Sequence, residues 1–292
     1  MSDSNRRQEL SFEQAVLLLR TDPDAARLLY DSYLDSDLEG GGRRFLASEE
    51  FDEVLAVAVG RVTGGVVVDI GAGTGIASFA FAKSGARIVY AVEPDPSEVV
   101  GAGAIRRLTQ GLPVEVIGDW GESIGLPGGV ADVVYCRQVL HHARDLESFV
   151  AECARLMRPG AVLVASREHV VTDEAQLESF LDGHVIHRLT HSEGAFELSR
   201  YLNALNSSGL EVTRVFGPMD SVLNAYPGYS RNQLAELPGQ RWRLKFGAFG
   251  AVIAAVPAAS RWMQRRIARE PENAPGRLYT FVATKPLERG DR

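Results

Sequence analysis

The stretch that decides the fold is Val66-Val67-Val68-Asp69-Ile70-Gly71-Ala72-Gly73-Thr74-Gly75. A short β-branched run there meets a turn with three glycines, and residues 76–83 follow with the composition of a buried helix. This order predicts a strand, a tight turn and a helix, in which the glycines let backbone groups approach a ligand at the helix N-terminus. A glycine-rich turn is weak evidence by itself, because glycines occur in many loops.

After this turn, predicted strands and helices alternate along the chain. Such alternation is typical of a parallel sheet with helices on both faces, so the fold class is α/β. The predicted strands number about seven and cover residues 66–70, 87–92, 114–117, 131–137, 161–165, 210–216 and 278–284. The sheet is therefore expected to be doubly wound.

The first 60 residues contain no predicted strand. Ser11 and Gln14 form a capping-box pattern for a first helix, and Pro23 suits the first position of a second. The glycines at 40–42 are expected to break the chain before a third helix over residues 45–59. These helices are predicted to cap a ligand site, the alternative being that they only pack on the sheet.

Two long segments interrupt the alternation after the fifth and sixth strands. They are predicted to be insertions that shape the pocket of a second ligand. The resulting division of the chain is an N-terminal helical cap (1–60), a core (61–166), a histidine-containing insertion (167–197), a core helix and strand (198–216), a lid or interface insertion (217–276) and a last core strand (277–286).

Composition excludes several classes of protein. The net charge of -7 and the pI near 5.5 argue against a nucleic-acid partner, because phosphate binding needs clustered Lys and Arg. The two cysteines, Cys136 and Cys153, lack the CxxC spacing of a metal or redox pair. The polar N-terminus resembles no secretory signal, and no apolar run reaches the length of a spanning helix. A cytoplasmic location is therefore expected.

Three acidic residues stand at the carboxyl ends of three predicted strands. Asp69, Glu93 and Asp119 would lie at the carboxyl edge of the sheet, where open α/β sheets bind ligands. Glu93 stands 18 residues after Gly75, a position from which a carboxylate accepts hydrogen bonds from ribose hydroxyls. Trp120 could stack on a base or pack in the core. The pattern indicates a nucleotide-like ligand.

The segment 67–75 resembles the first motif of the class I S-adenosylmethionine (SAM)-dependent methyltransferases, which have a Rossmann-like fold. Glu93, Asp119 and the segment 131–142 (Ala-Asp-Val-Val-Tyr-Cys-Arg-Gln-Val-Leu-His-His) are similar to its later motifs, in order and with suitable spacing. The resemblance covers about residues 66–167. It implies SAM as the cofactor, with S-adenosylhomocysteine as the product. It also implies roles for individual residues: Gly71, Gly73 and Gly75 around the methionine part, Glu93 on the ribose, Asp119 on the adenine amine and Gln138 beside the sulfonium.

Two other classes of function remain as alternatives. A NAD(P)-dependent oxidoreductase is less favoured, because Ile76 stands where the dinucleotide fingerprint has its third glycine. A Tyr-x-x-x-Lys pair of the short-chain dehydrogenases is also absent from the sequence. A non-catalytic SAM-binding protein is the third class, since the glycine turn itself does not require turnover.

All six histidines fall between residues 141 and 191. Because histidine titrates near neutral pH, one of them could remove a proton from an acceptor hydroxyl. His184 and His187 would share one face with His191 if that segment were helical. The candidate catalytic residues are His141, His184, His187 and Glu168.

A structural or solvated face is the alternative reading of this histidine segment. A metal site is not assigned, because no carboxylate is clearly a partner, although Glu168, Asp182 and Glu193 are near in sequence. Arg167 could bind a polar substrate or form an ion pair within a loop.

The acceptor of the methyl group is expected to be a small molecule with an oxygen nucleophile, such as a secondary or glycan metabolite. Nitrogen or carbon acceptors and a lipid-linked acceptor stay open. Residues 246–257 are apolar and have basic flanks, as in an interfacial helix, but the run is too short to span a bilayer. A lid or homodimer contact is favoured there over contact with a membrane surface.

Overall fold

The computed structural model describes residues 9–269 and 274–287. Residues 1–8 of the predicted cap, residues 270–273 of the second insertion and the C-terminal residues 288–292 lie outside the described residues. The helices are α1 (Phe12–Leu19), α2 (Ala26–Asp31), α3 (Leu38–Leu46), α4 (Glu49–Val57), α5 (Ile76–Lys83), α6 (Ala102–Leu108), α7 (Leu146–Leu156), α8 (Glu174–Gly183), α9 (His187–Thr190), α10 (Leu198–Ser207), α11 (Val222–Ala225), α12 (Arg231–Phe246), α13 (Ala248–Ala254) and α14 (Pro257–Arg269).

One mixed sheet forms the centre of the molecule. Its strands are β1 (Val66–Ile70), β2 (Ile88–Val92), β3 (Val114–Ile117), β4 (Ala131–Arg137), β5 (Met157–Val171), β6 (Phe196–Glu197), β7 (Glu211–Phe216) and β8 (Arg277–Thr284). Their order is β3-β2-β1-β4-β5-β8-β7, and the two-residue β6 pairs with the end of β5. The α/β, doubly wound fold is confirmed, with eight strands where about seven were predicted.

Apolar cores lie on both faces of the sheet. Because side chains alternate along a strand, Val67 packs in one core and Val68 in the other. The first core contains Phe45 and Phe81 from α3 and α5, and the second contains Phe149 from α7. The buried, β-branched strand 66–70 is therefore covered by helices on both sides, as its sequence predicts.

The last strand departs from the predicted parallel sheet. Strand β8 runs antiparallel to both β5 and β7. Strand β7 runs toward the carboxyl edge, and β8 begins at Arg277 opposite Val170, near the carboxyl end of β5. The chain between them thus leaves and returns at the same edge, so the returning strand has to run in the opposite direction.

Strand β5 is three times as long as predicted. The sequence places its end at Ala165, but the strand continues to Val171, so the predicted insertion begins inside the sheet. The β5–β8 register shifts between Ala165 and Glu168, where Arg167 has a positive φ of 61°. This bulge re-aims the strand next to the cavity described below, a common use of bulges. Because residues 167–169 are polar, the sequence pattern does not predict that the strand continues to Val171.

The N-terminal helices were predicted correctly at α1 and wrongly at α3. Ser11 and Gln14 form the predicted capping box. The glycines 40–42, however, lie inside α3, which Asp37 caps at its N-terminus. A Cβ on Gly42 would lie 3.1 Å from Leu108 and from Phe79, so the glycine allows α3 to pack closely on α5 and α6. Close packing, not a chain break, explains this glycine.

The second insertion folds into helices α11 to α14. Trp242 stacks on Phe246 and on Trp262, which holds α12 and α14 together. Leu244 and Phe249 are 83% and 79% exposed. The lid, homodimer and membrane-surface roles of this segment stay predictions. Among the described residues, no helix is both long and apolar enough to cross a membrane.

Candidate active site

A cavity of about 760 Å³ lies at the carboxyl ends of β1, β2 and β4. The sheet order reverses direction between β1 and β4, and ligands of open α/β sheets bind in the crevice at such a point. Its volume is within the usual range for a small-molecule site. The glycine turn lines one part of the cavity, and the segment that follows β4 lines another.

The glycine turn has no room for side chains where it faces β4. Gly71 has a φ of 68°, and a Cβ there would lie 2.3 Å from the Val139 side chain. Gly73 also has a positive φ, but nothing lies within 4 Å of the position of its Cβ. The turn therefore exposes backbone to the cavity at Gly73 and passes closely under the β4 loop at Gly71. Gly75 precedes α5 in a left-handed conformation.

Glu93 holds this turn from the end of β2. One carboxylate oxygen accepts the Gly73 N–H at 2.8 Å, and the other accepts the Asp95 N–H at 3.0 Å. The side chain is 9% exposed and lines the cavity, so Glu93 is not a solvated loop residue. Burial raises the pKa of Glu93, and the two backbone hydrogen bonds oppose that rise. The remaining lone pairs of the carboxylate are available to a ligand.

Asp69 lines the cavity from the end of β1. Its carboxylate accepts the Ser78 hydroxyl at 2.6 Å, which ties the strand to α5. Burial raises the pKa of Asp69 to about 7, although the hydrogen bond from Ser78 opposes the rise. The side chain is therefore poised between its neutral and charged forms near neutral pH.

The remaining predicted cofactor residues also line the cavity. Asp119 accepts the Gly125 N–H at 2.8 Å, so its loop is fixed. Trp120 is 54% exposed, which excludes the core-packing alternative, and the Arg144 guanidinium lies 4.1 Å from its ring centre. Gln138 has a φ of 53° and accepts a hydrogen bond from Arg137. The structure thus brings the eight predicted cofactor residues to one region, with Gly75 just behind the cavity wall.

His141 and Glu168 form a buried pair at the other part of the cavity. The His141 Nδ1 lies 2.7 Å from a Glu168 carboxylate oxygen, and the same carboxylate accepts the backbone N–H groups of Val139 and His141. Burial lowers the pKa of His141, but the hydrogen bond with Glu168 and the nearby Glu193 carboxylate raise it to about 9. At neutral pH its imidazole is mostly protonated and donates hydrogen bonds.

A cluster of histidines surrounds Glu193. The Nε2 atoms of His141 and His142 each lie 3.6 Å from the same Glu193 oxygen, and His184 Nδ1 lies 3.9 Å from the other oxygen. Burial raises the pKa of Glu193, but the surrounding histidines lower it to about 2. Burial lowers the pKa of both His142 and His184. His169 completes the cluster, and burial lowers its pKa to about 3.

The condition for a shared face of His184, His187 and His191, one continuous helix, is not met. Helix α8 ends at Gly183, His184 has an extended ψ of 117° and His191 is left-handed, so no single helix joins them. His184 lines the cavity, whereas the His187 ring packs on His191 with ring centres 5.3 Å apart. In the described part of the chain, His187 is not among the residues that line the cavity. Gly183 is the sequence signal for this break, because glycine often marks the C-terminus of a helix.

Several features of the site were not predicted from the sequence. Arg137 lines the cavity and makes a two-pronged ion pair with the buried Glu50 of α4. Arg167, a candidate for substrate binding, instead donates to the Tyr226 carbonyl oxygen at 2.7 Å, outside the cavity lining of the described residues. Glu193 was named only as a neighbour in sequence. Its role depends on a loop conformation that sequence patterns do not encode.

The N-terminal region and the first insertion both contribute apolar side chains to the cavity wall. Phe12, Leu28 and Leu34 line it from the N-terminal region, and Val185 and Ile186 line it from the first insertion. Within the described residues, the second insertion supplies none of the lining. The predicted part of the second insertion in shaping the acceptor pocket therefore stays a prediction. Its helix α11 packs on α4 and contacts β5 and β8.

Comparison with known proteins gives the class of this domain. Residues 68–165 match a family model described as "Methyltransferase domain". This span holds the glycine turn, Glu93, Asp119 and the β4 motif. The chain therefore carries a class I SAM-dependent methyltransferase domain, and SAM is the cofactor of that domain. The NAD(P) alternative is thereby excluded.

Curated relatives agree with this class, and solved structures agree with the fold. The chain is 29% identical to "Ubiquinone biosynthesis O-methyltransferase" of Rhizobium etli over 152 residues, which is 50% of this chain and 60% of the relative. It thus spans less than two thirds of the curated relatives that it matches. The structure of geranyl diphosphate C-methyltransferase from Streptomyces coelicolor is similar with a TM-score of 0.53, 13% identity and coverage of 80% and 74%. The cyclase SpnF is similar with a TM-score of 0.51, 16% identity and 81% coverage of each chain.

The residues that line the cavity fit SAM. Backbone is exposed at Gly73, where a side chain would fill the space that a ligand needs. The buried Glu93 carboxylate retains lone pairs for hydroxyl groups, and Asp119 lies in the same lining. Within this part of the chain the predicted contacts to ribose and adenine are therefore sterically and chemically compatible with SAM.

Proposed function

We propose that this chain transfers the methyl group of SAM to a hydroxyl oxygen of a small molecule. The observation that carries the proposal is the continuity of the cavity. The glycine turn and Glu93 line one part of it, and His141, His142 and Glu193 line another. One enclosed space could hold both reactants in the in-line arrangement that methyl transfer needs, so positioning would supply much of the rate.

At the donor end, each of the predicted residues has a defined task in this proposal. SAM supplies, when bound, an electrophilic methyl group on a positively charged sulfur. The Glu93 carboxylate accepts hydrogen bonds from the ribose hydroxyls, and Asp119 accepts one from the adenine amine. The backbone of Gly71 and Gly73 lies along the methionine part, and Gln138 borders the sulfur.

At the acceptor end, the histidine–carboxylate cluster binds the nucleophile in this proposal. The Glu193 side chain is only 7% exposed, and its carboxylate can accept a hydrogen bond from the acceptor hydroxyl. His141, held by Glu168, donates to the same region. We do not assign the general base to His141, because a protonated imidazole has no lone pair to accept a proton.

The walls near this cluster indicate the kind of acceptor. Phe12, Leu28 and Leu34 are apolar, as are Val185 and Ile186, and the last three pack against one small apolar cluster of the N-terminal region. An acceptor with an apolar body and a hydroxyl group would satisfy both surfaces. The O-methyltransferase name of the Rhizobium relatives favours oxygen. The fold alone does not determine the reaction, since the cyclase SpnF has a similar fold.

The test is a methyl-transfer assay with SAM labelled by ¹³C in its methyl group. Hydroxylated aromatic compounds, sugars and a lipid-linked alcohol are offered as acceptors, and NMR of the products distinguishes O-, N- and C-methyl groups. We expect O-methyl products. A product methylated only on nitrogen or carbon would overturn the oxygen assignment, and retention of SAM without turnover of any acceptor would favour a non-catalytic SAM-binding protein.

The cluster is tested by Glu193→Gln in the same assay. Loss of one charge-assisted hydrogen bond of about 1.5–3 kcal/mol should lower turnover by roughly 10- to 150-fold. The affinity for SAM should stay unchanged, because Glu193 lies at the acceptor end. Glu197→Gln, on the exposed strand β6, is the matched control. An undiminished rate in Glu193→Gln would remove this carboxylate from the reaction.

A further inference from the structure

Three side-chain atoms around Glu193 are arranged as metal ligands. The Nε2 atoms of His141 and His142 and the carboxylate of Glu193 all lie within 4.8 Å of one another. Each Nε2 atom is 3.6 Å from the same Glu193 oxygen, which is longer than a hydrogen bond. Two ligands at 2.0–2.1 Å from a tetrahedral ion are separated by roughly 3.4 Å, so these spacings match a shared cation.

The other nitrogen of each imidazole is already used. His141 Nδ1 lies 2.7 Å from Glu168, and His142 Nδ1 lies 3.0 Å from the Ser192 carbonyl oxygen. Because a carbonyl oxygen can only accept, the His142 Nδ1 carries a proton and its Nε2 lone pair points to the cluster. The carboxylate–histidine pair of Glu168 and His141 is the support that metal-binding histidines usually have.

We propose that His141, His142 and Glu193 bind one divalent transition-metal ion of the Zn²⁺ type, with an open coordination position that faces the cavity. Two imidazoles and one carboxylate are a donor set that suits Zn²⁺, whereas Mg²⁺ prefers oxygen ligands. Three protein ligands with a free fourth position are typical of catalytic zinc sites. All three residues line the cavity.

The proposed ion deepens the proposed function and rests on it for its chemical role. A hydroxyl group coordinated at the open position would lose its proton to water more readily, because the ion stabilises the oxygen anion. That oxygen then forms the bond to the methyl carbon while the carbon–sulfur bond breaks and its electron pair stays on sulfur. His141 must release its own proton to bind the ion, so binding itself releases protons.

Binding is measured without SAM or acceptor, so its outcome is independent of the methyl-transfer proposal. The full chain is treated with a chelator, dialysed and titrated with Zn²⁺ alone in a calorimeter, with Mg²⁺ in a parallel titration. We expect one Zn²⁺ per chain and no comparable binding of Mg²⁺. Absence of Zn²⁺ binding, or equal affinity for both ions, would overturn the proposal.

Variants assign the site to these residues. His142→Ala and Glu193→Gln should each weaken Zn²⁺ binding by at least 100-fold, and Glu168→Gln should weaken it by about 10- to 100-fold as a positioning residue. His187→Ala, which removes a histidine outside the cluster, is the matched control and should leave the affinity unchanged. Retained binding in the cluster variants would contradict the site, as would its loss in His187→Ala. Unchanged affinity for S-adenosylhomocysteine in each variant shows that the chain is folded.

Substitution by Co²⁺ gives a second readout. A Co²⁺ ion bound by two imidazoles, a carboxylate and water in a tetrahedral arrangement should produce strong visible absorption bands. Those bands should be absent in Glu193→Gln and present in His187→Ala. Weak octahedral bands, or equal spectra in the two variants, would contradict binding at this cluster.

Discussion

At the scale of single residues, the Glu93 carboxylate is the group on which the donor end depends. It accepts the N–H groups of Gly73 and Asp95 while it faces the cavity. In Glu93→Gln, one oxygen becomes an amide NH₂ that faces a backbone N–H, and the negative charge on the ribose side is lost. We therefore expect the dissociation constant for S-adenosylhomocysteine to rise by about 10- to 100-fold in a calorimetric titration.

The matched control is Glu98→Gln. Glu98 is exposed on the same connection and pairs with Arg107, so its substitution should leave the dissociation constant unchanged. If Glu93→Gln bound S-adenosylhomocysteine as tightly as the wild type, Glu93 could not be the ribose ligand. If both variants lost affinity equally, a general charge effect would explain the result better.

A second prediction at the residue scale is that Asp69 makes the stability of the protein depend on pH. Burial raises its pKa to about 7 in the folded state, well above its value in an unfolded chain. Because the folded pKa is raised, the stability that Asp69 contributes is fully present below about pH 4 and is lost as the pH rises through 7. The loss has an upper limit of about 1.4 kcal/mol per pH unit within that window.

Asp69→Asn stays neutral at every pH and can still accept the Ser78 hydroxyl. Its free energy of unfolding in urea should therefore exceed that of the wild type by more at pH 8 than at pH 5.5. Taking the difference between the two proteins removes the effect of every other titrating group. A difference that is constant or smaller at pH 8 would show that Asp69 is not held near neutrality by burial.

At the scale of elements, alanine substitutions at two neighbouring glycines of α3 distinguish the effect of helix propensity on stability from the effect of packing. A Cβ on Gly41 would make only ordinary contacts at 3.8 Å or more, whereas one on Gly42 would lie 3.1 Å from Leu108 and Phe79. Alanine inside a helix is favoured over glycine by roughly 0.5–1 kcal/mol. Gly41→Ala should gain that amount, and Gly42→Ala should be less stable than Gly41→Ala by about 1 kcal/mol or more.

Chemical unfolding of the two variants checks this difference, and each serves as the control for the other. Equal gains in the free energy of unfolding would show that α3 does not pack on α5 and α6 as closely as described. A loss in both variants would instead favour the chain break that the sequence predicts at glycines 40–42.

Element patterns explain which parts of the fold could be predicted from the sequence. The β-branched run 66–70 and the capping box of Ser11 and Gln14 are local patterns, and the structure has both where the sequence predicts them. The sequence predicts too short a strand β5, because residues 167–169 are polar. In the structure the strand continues past them, and its bulge directs Glu168 to His141. The direction of β8 depends on where the second insertion returns, which no local pattern records.

At the scale of the whole molecule, only the donor end of the site could be predicted from the sequence. The glycine turn, Glu93, Asp119 and Gln138 follow strands in order, so parallel pairing alone brings them together. The acceptor end differs, because Glu193 reaches His141 across about 50 residues of helix and loop. This long-range contact pairs the Glu193 carboxylate with the histidines, which the sequence alone did not predict.

We propose that one cavity holds the methyl donor at the glycine turn and the acceptor at the histidine cluster. A crystal structure of the chain with S-adenosylhomocysteine tests this directly. We expect the ribose hydroxyls on Glu93 and the sulfur facing the space between Gln138 and the cluster of His141, His142 and Glu193. A sulfur that faces away from this cluster, or a ribose bound elsewhere than at Glu93, would contradict it.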